Sequence, residues 1–342
     1  MRNDGASVRR RAVTRLLATA AGAFCLLTLA GCAAAAQTAP PPLLTAVSPN
    51  RIALGSLVTL TVDNLREKVA QDKYDPGELR LVLDDHVLQD LKPEVDLTAG
   101  TVGFRLVRTD ADKAAWADLL GAPPIGGERR VSIGLFLDAT HRVARGPHFP
   151  PRITLLIFTW PWLGAGIAGL FLAVAGFILL AQKSDILRDY RPTQAQLLPG
   201  QRRPYSLARC QMAFWFFLVL AAFLLIWLIT GDYNGIVTEQ TLVLVGISAS
   251  TGAFSAAIDS NKSATAPPTS PHTTFFDDLL TDVNGIALHR YQMLAWTIAL
   301  GIIFVYSTYR TLATPNFDAN LLTLLGISSG TYLGFKFPER QP

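Results

Sequence analysis

The sequence predicts a membrane protein of two parts: an all-α bundle of five transmembrane helices and, before it, an all-β immunoglobulin-like sandwich. Half of the 342 residues are apolar and only 16% are charged, which is not the balance of a soluble chain. Uncharged apolar runs long enough to span a membrane occur only after residue 150, apart from one near the amino terminus. Residues 43–150 instead alternate apolar and polar side chains with a period of two, which indicates half-buried antiparallel strands.

Residues 1–32 are predicted to be an export signal, because a stretch rich in Arg precedes an apolar core. The core ends in LAGC, which resembles a bacterial lipobox. That resemblance implies that Cys32 is diacylated and becomes the mature amino terminus. Ordinary cleavage nearby, for example after Ala36, and an uncleaved signal anchor are the alternatives. All three place the following residues, beginning with a Pro-rich tether at 33–42, outside the cytoplasm.

The segment 43–150 contains no cysteine, so disulfides cannot hold it together. Its alternating runs are centred near Leu60, Leu81, Phe104 and Ile133. The opening stretch LLTAVSPNRIALGSLVTLTVDNL resembles the start of IPT/TIG immunoglobulin-like modules, with a Ser-Pro turn, a Gly and a strand that ends in Asn-Leu. The resemblance implies a sandwich that binds, spaces or stiffens.

One stretch of this segment, DADKAAWADLLG, predicts a short helix instead of a strand. Trp116, Leu119 and Leu120 share one face of such a helix and are expected to point into the core. Gly121 is expected to end it.

Five candidate spans follow. The first is 153–181, and a basic loop at 182–205 separates it from the second. The four later spans are 211–230, 241–258, 292–309 and 320–335. The third and fifth of the five spans, 241–258 and 320–335, are short and rich in Ser, Thr and Gly, so they are not expected to face lipid.

The distribution of Lys and Arg predicts the orientation. If 43–150 lies outside the cell, the loop 182–210, the loop 259–291 and the C-terminal tail are inside. Those inside segments carry ten Lys and Arg residues, whereas the outside loops carry only Arg310, in agreement with the positive-inside rule. Three Arg residues just before the first span oppose this assignment locally. We therefore expect a bacterial inner-membrane protein with a periplasmic 43–150 segment and a cytoplasmic C-terminus.

The last four spans are predicted to be two copies of one hairpin, at 206–259 and 287–337, with a linker at 260–286 between them. LARCQMAFW near the start of the first copy aligns with LHRYQMLAW in the second, and LVLVGISAST aligns with LTLLGISSGT. Both copies begin inside the cell, so they are parallel repeats. The C-terminal segments LHRYQMLAWT and LLTLLGISSGTYLGFK resemble a group of uncharacterised bacterial membrane proteins, which implies location and hairpin architecture but no reaction.

The small residues of the Gly-Ile-Ser helices are predicted to be sites of helix packing. In lipid, close backbone approach holds helices together, and residues spaced four apart share one helical face. A second interpretation is that Ser248, Thr251, Ser328 and Thr331 line a permeation path. The predicted packing residues are Gly246, Ser248 and Ser250 in the first copy and Gly326, Ser328, Gly330 and Gly334 in the second.

Arg209 and Arg290 stand at the cytoplasmic entrance of equivalent spans, with Trp215 and Trp296 less than two turns deeper. Their predicted role is to anchor the helices at the membrane interface, and a bound anionic ligand or lipid is the alternative. Gln211 and its counterpart in the second repeat are predicted to hydrogen-bond between repeats.

No Asp, Glu, Lys, Arg or His falls inside a predicted span, which disfavours an ion-coupled transporter. The sequence contains no phosphate-binding loop and no HExxH motif, and its histidines are scattered. We therefore expect no catalytic residue, no metal, no cofactor and no nucleic-acid partner. The expected function is a non-enzymatic interaction or sensing module that contacts lipid and an envelope protein or a second copy of itself. A small oligomeric channel lined by the Gly-Ile-Ser helices is the alternative.

Overall fold

A computed structural model describes residues 40–138, 141–189, 203–261, 274–282 and 285–337. The predicted export signal with Cys32, most of the tether, more than half of the basic loop and about half of the linker lie outside these residues.

The N-terminal part is rich in β-structure, as predicted. Its strands are β1 (Leu43–Ser48), β2 (Arg51–Ala53), β3 (Leu57–Asp63), β4 (Arg80–Leu83), β5 (His86–Leu88), β6 (Pro93–Asp96), β7 (Thr101–Arg105), β8 (Glu128–Val131), β9 (Ile133–Phe136), β10 (Ala144–Arg145) and β11 (Ile153–Leu156).

These strands form three sheets, and an immunoglobulin-like sandwich is not confirmed. The largest sheet has the order β10-β1-β3-β7-β6, and the other two have the orders β2-β11-β8 and β5-β4-β9. Most pairs are antiparallel, but β1–β10 and β2–β11 are parallel. In the largest sheet Val58 lies opposite Phe104 and Leu60 opposite Val102, and all four side chains are buried. The period of two thus identified the strands, but it contains no information about which strands pair.

Two helices belong to the β domain: α1 (Leu65–Asp72) and α2 (Lys113–Leu120). The prediction for α2 is confirmed, since Trp116, Leu119 and Leu120 are buried and the helix ends at Gly121. The Trp116 indole donates to the Val107 carbonyl at 3.2 Å, which satisfies its one polar atom inside the core.

Six further helices follow among the described residues, and four of them coincide closely with the last four predicted apolar segments. They are α3 (Trp160–Lys183), α4 (Leu207–Thr230), α5 (Glu239–Asn261), α6 (Phe275–Leu280), α7 (Leu288–Thr311) and α8 (Ala319–Lys336).

The first predicted span, 153–181, began too early. Ile153–Leu156 form strand β11 of the β domain, and α3 begins only at Trp160, with Pro161 in its first turn. A buried strand that runs directly into an apolar helix leaves no change of composition to mark the boundary. The β domain therefore extends past residue 150.

Within the described part of the chain, four helices, α3, α4, α5 and α7, are long and apolar enough to cross a membrane. The prediction of five spans is not supported, because α8, at 18 residues, is not apolar enough to count among them. Its six residues from Ser328 to Leu333 include four with hydroxyl groups, which lowers its average hydropathy.

Helices α4, α5, α8 and α7 pack in that order around a ring, and α3 packs on the outside of α4. The hairpins α4–α5 and α7–α8 run in the same direction, since Gln211 near the start of α4 bonds to Thr297 of α7 and the ends of both helices reach the core of the β domain. We call the end of the bundle that contacts the β domain the domain end, and the opposite end the far end. At the far end, α6 and the short hairpin β12 (Thr281–Asp282) and β13 (Gly285–Ile286) precede α7.

Candidate functional site

The hydrophobic core of the β domain continues into the helix bundle. Ile229, at the end of α4, and Leu312, just after α7, are buried in the same cluster as Trp116 and Leu120 of α2. A domain joined to the helices only by a flexible tether would have a hydrophobic core separate from theirs. We call this region, where α2 and its flanking residues meet the domain end of the bundle, the docking contact.

Backbone carbonyls at the domain end accept hydrogen bonds from the β domain across the docking contact. Arg108 donates through both terminal nitrogens to the Leu312 carbonyl, each at 3.1 Å. The Ala122 N–H donates to the Tyr309 carbonyl at 2.9 Å. Tyr309 lies in the last turn of α7 and Leu312 directly after it, where carbonyls find no partner within the helix.

Gly121 allows the close approach on which the docking contact depends. A Cβ atom at this position would lie 1.9 Å from the Arg310 carbonyl oxygen and 2.3 Å from that of Ala117. Both distances are far below van der Waals contact. The φ angle of Gly121 is −61°, which any residue can adopt, so steric exclusion alone requires glycine here.

At the far end, a lysine is buried completely among acidic and hydroxyl side chains. Lys336, the last residue of α8, has an exposed fraction of 0%. Its Nζ donates to Asp189 Oδ1 at 3.0 Å, Asp259 Oδ2 at 2.8 Å and Ser255 Oγ at 2.7 Å. Three bonds satisfy all the donors of an ammonium group. We call Lys336, Asp189, Asp259 and Ser255 the far-end cluster.

The far-end cluster connects three separate parts of the chain. Asp189 lies in the segment between α3 and α4, Ser255 and Asp259 lie in the last turns of α5, and Lys336 ends α8. Arg290 of α7 is also buried nearby, with its guanidinium 5.8 Å from the centre of the Tyr332 ring. The far-end cluster therefore connects the far end of α5, from the first repeat, to the far end of α8, from the second.

Electrostatic attraction lowers the pKa of Asp189 from its ordinary value of 3.8. Burial of the carboxyl acts in the opposite direction, but the nearby Lys336 ammonium, its hydrogen bond and the charge of Arg290 outweigh that effect. The ionised form of Asp189 is thus the form that the fold stabilises.

Acidification is expected to weaken the far-end cluster. Because the folded-state pKa of Asp189 is depressed, its stabilising contribution is fully present above 3.8 and is lost as the pH falls through the lowered value. Thermal unfolding in detergent between pH 6 and pH 3 measures this. We expect the midpoint of Asp189→Asn to depend less on pH across this window than that of the unaltered chain. Equal pH dependence in the two proteins would contradict the assignment.

The predicted packing glycines do not form the contact between α5 and α8 within one chain. Gly246, Gly330 and Gly334 are exposed and Gly326 is half-buried, and nothing in the described chain lies within 4 Å of a Cβ built on any of them. Ser250 is also exposed. Ser248 and Ser328, in contrast, are each only 1% exposed. The spacing of small residues identified a helical face, but it did not show which face turns inward.

Two of the predicted interfacial anchors are buried inside the bundle instead. Trp215 has an exposed fraction of 0% and packs edge-on against Phe304, with ring centres 6.2 Å apart. Arg290 is 5% exposed and donates to the Asp278 carbonyl at 3.4 Å, so it does not extend towards lipid. Both residues lie near the start of apolar helices, which is also where interfacial anchors occur.

Three other predicted residues have the following positions. Arg209 is half-buried and donates to the Ile186 carbonyl at 3.4 Å. Trp296 is partly buried against the core of the ring. Gln211 donates to Thr297 Oγ1 at 2.8 Å, which confirms that it bonds between the repeats.

Sequence reasoning missed the far-end cluster. Lys336 and Asp259 each lie one residue beyond a predicted span, where charged residues are common and give no sign of burial. The repeat alignment contains the available signal, because Lys336 aligns with Ala256. A charge in one copy where the other has a small apolar residue marks a position where the symmetry of the bundle breaks.

Among the described residues, no group of three or more His, Cys, Asp or Glu side chains is placed to hold a metal ion. The fold is that of a β-rich domain docked on helices of which four are long and apolar enough to span a membrane. Comparison of the chain with protein-family models, curated proteins and solved structures finds no match.

Proposed function

We propose that this chain is an integral inner-membrane protein that presents its β domain to the periplasm as an interaction or sensing module. In this proposal it is a non-enzymatic scaffold or a subunit of an envelope complex, with the far end of the bundle in the cytoplasm. The excess of Lys and Arg in the segments at the far end supports that orientation.

The docking contact is the observation that carries this proposal. Arg108 and Ala122 of the β domain bond to carbonyls at the end of α7, and the cores of the two parts are continuous. A force or partner acting on the β domain therefore acts directly on α4 and α7. The far-end cluster ties α5 and α8 at the other membrane face, so the connected body extends across the membrane.

The packing of the ring supports a scaffold over a channel within one chain. Trp215, Leu244, Leu300, Phe304 and Leu325 are buried in one cluster among the four helices. Because this core fills the space among the four helices, a channel would have to form between chains in an oligomer.

Flux measurements on the full chain in liposomes test the proposal. We expect ion and solute permeability equal to that of protein-free vesicles. Flux above that level, which falls when the exposed Gly246 of α5 and Gly330 of α8 are replaced by Leu, would contradict the scaffold and support an oligomeric channel. The matched control replaces Ser260, which is exposed on the same helix as Gly246, by Leu.

Photo-crosslinking in cells tests the interaction role independently. A crosslinker at Arg66, exposed on α1 of the β domain, is expected to give discrete adducts with an envelope protein or with a second copy of the chain. A crosslinker at Lys183, exposed at the far end, serves as the control for the opposite membrane face. Discrete adducts at Lys183 together with none at Arg66 would contradict a periplasmic interaction module.

A further inference from the structure

A loop of the β domain carries an apolar side chain on its surface with no partner in the described chain. Residues 122–126, APPIG, connect α2 to β8, and we call them the Ile125 loop. Ile125 has an exposed fraction of 86%, the highest of any large apolar side chain in the described β domain. The loop contains no charged residue.

Hydrogen bonds hold the Ile125 loop at both ends, so the exposure of the Ile125 side chain follows from the folded backbone. At its start, the Arg129 guanidinium donates to the Gly121 carbonyl at 2.7 Å and to the Ala122 carbonyl at 3.1 Å. At its end, the Gly127 N–H donates to the Pro124 carbonyl at 2.9 Å. Gly127 packs closely against the segment that leads into α3, since a Cβ built on it would lie only 2.4 Å from the Phe158 carbonyl oxygen.

Aromatic residues at the ends of membrane-length helices flank the Ile125 loop on two sides. The Trp160 indole, in the first turn of α3, donates to the Ile125 carbonyl at 2.9 Å and is 54% exposed. The loop also contacts Tyr309, near the end of α7, whose hydroxyl donates to the Pro123 carbonyl at 3.5 Å. Trp and Tyr concentrate where a membrane meets water. The surface of the loop is therefore continuous with the outer edge of the apolar helix surface.

From these contacts we propose that the Ile125 loop inserts into the lipid bilayer at the boundary between headgroups and acyl chains. An uncharged loop with an exposed isoleucine gains free energy by removing that side chain from water, and a lipid surface offers this without a protein partner. The neighbouring helix α3 needs the same environment, since only 6% of its most apolar 18-residue stretch is buried inside the chain. The β domain is thus seated on the membrane as well as on the helix bundle.

Depth-dependent fluorescence quenching tests this proposal. Ile125→Cys and Gly126→Cys, in a chain whose three cysteines are replaced by Ser, receive an environment-sensitive dye. The labelled full chain is placed in phosphatidylethanolamine and phosphatidylglycerol vesicles that carry nitroxide lipids. Arg152→Cys is the control, because Arg152 is exposed at the start of β11, with that strand between it and the Ile125 loop.

We expect severalfold stronger quenching by shallow nitroxide lipids at positions 125 and 126 than at 152, and a blue-shifted emission at 125. Quenching by aqueous iodide should follow the opposite order. Equal iodide quenching at all three positions would overturn the proposal. Protection at 125 from both quenchers would also overturn it, since a protein would then cover the loop. Circular dichroism of each labelled chain confirms that it is folded, and two loop positions guard against failure of one variant.

Discussion

Replacing Lys336 with methionine is expected to destabilise the chain by about 3–5 kcal/mol, the typical cost of removing one partner from a buried ion pair. The substitution leaves the carboxylates of Asp189 and Asp259 buried, with exposed fractions of 4% and 2%, and without their ammonium partner. A lower midpoint of thermal or denaturant unfolding in detergent measures the loss. Lys183→Met is the matched control, because Lys183 also ends an apolar helix but is exposed.

A compensating variant separates electrostatics from simple loss of packing. In the triple variant Lys336→Met, Asp189→Asn and Asp259→Asn no cluster residue keeps its charge, so we expect it to recover most of the lost stability. If the triple variant is no more stable than Lys336→Met alone, uncompensated charge is not the cause. A midpoint for Lys336→Met equal to that of Lys183→Met would contradict the structural importance of the far-end cluster.

Replacing Gly121 with alanine is expected to separate the β domain from the bundle. The new methyl group cannot fit 1.9 Å from the Arg310 carbonyl oxygen, so α2 must move away from the end of α7. We expect about 1–3 kcal/mol of destabilisation from overpacking. Amide hydrogen exchange should show loss of protection at Ala122, whose N–H then loses the Tyr309 carbonyl.

Gly126→Ala is the control for that experiment. Gly126 follows Gly121 closely in the chain, and nothing in the described chain lies within 4 Å of a Cβ built on it. We expect its unfolding midpoint and its exchange at Ala122 to match those of the unaltered chain. Unchanged protection of Ala122 in Gly121→Ala would show that the docking contact tolerates the added methyl group.

Local patterns predicted the elements of this fold well. The period of two identified β3, β4 and β7, and the spacing of Trp116, Leu119 and Leu120 identified α2 with its end at Gly121. These features depend on neighbours in sequence, which is what a pattern records. The internal repeat likewise predicted two hairpins of the same direction, and it predicted the Gln211 bond between them.

The sequence could not show contacts between distant segments. The residues of the far-end cluster are separated by up to 147 positions, and each of its three charged residues alone resembles an ordinary solvated charge. The face of α8 that turns inward also depends on tertiary packing: Ser328 is buried in the described chain, whereas Gly330 is exposed. The strand β11 was not recognised within the apolar run 153–181, because buried strands and buried helices have similar compositions.

The central claim is that the β domain and the helix bundle form one body. Distance measurement between spin labels tests it most directly, with one label at Arg66 on α1 and the other at Ser260 near the end of α5, in lipid nanodiscs. Both positions are exposed, so the labels disturb no described core. The docking contact predicts a single narrow distance distribution that broadens in Gly121→Ala but not in Gly126→Ala. A broad distribution in the unaltered chain would show a tethered domain and contradict the claim.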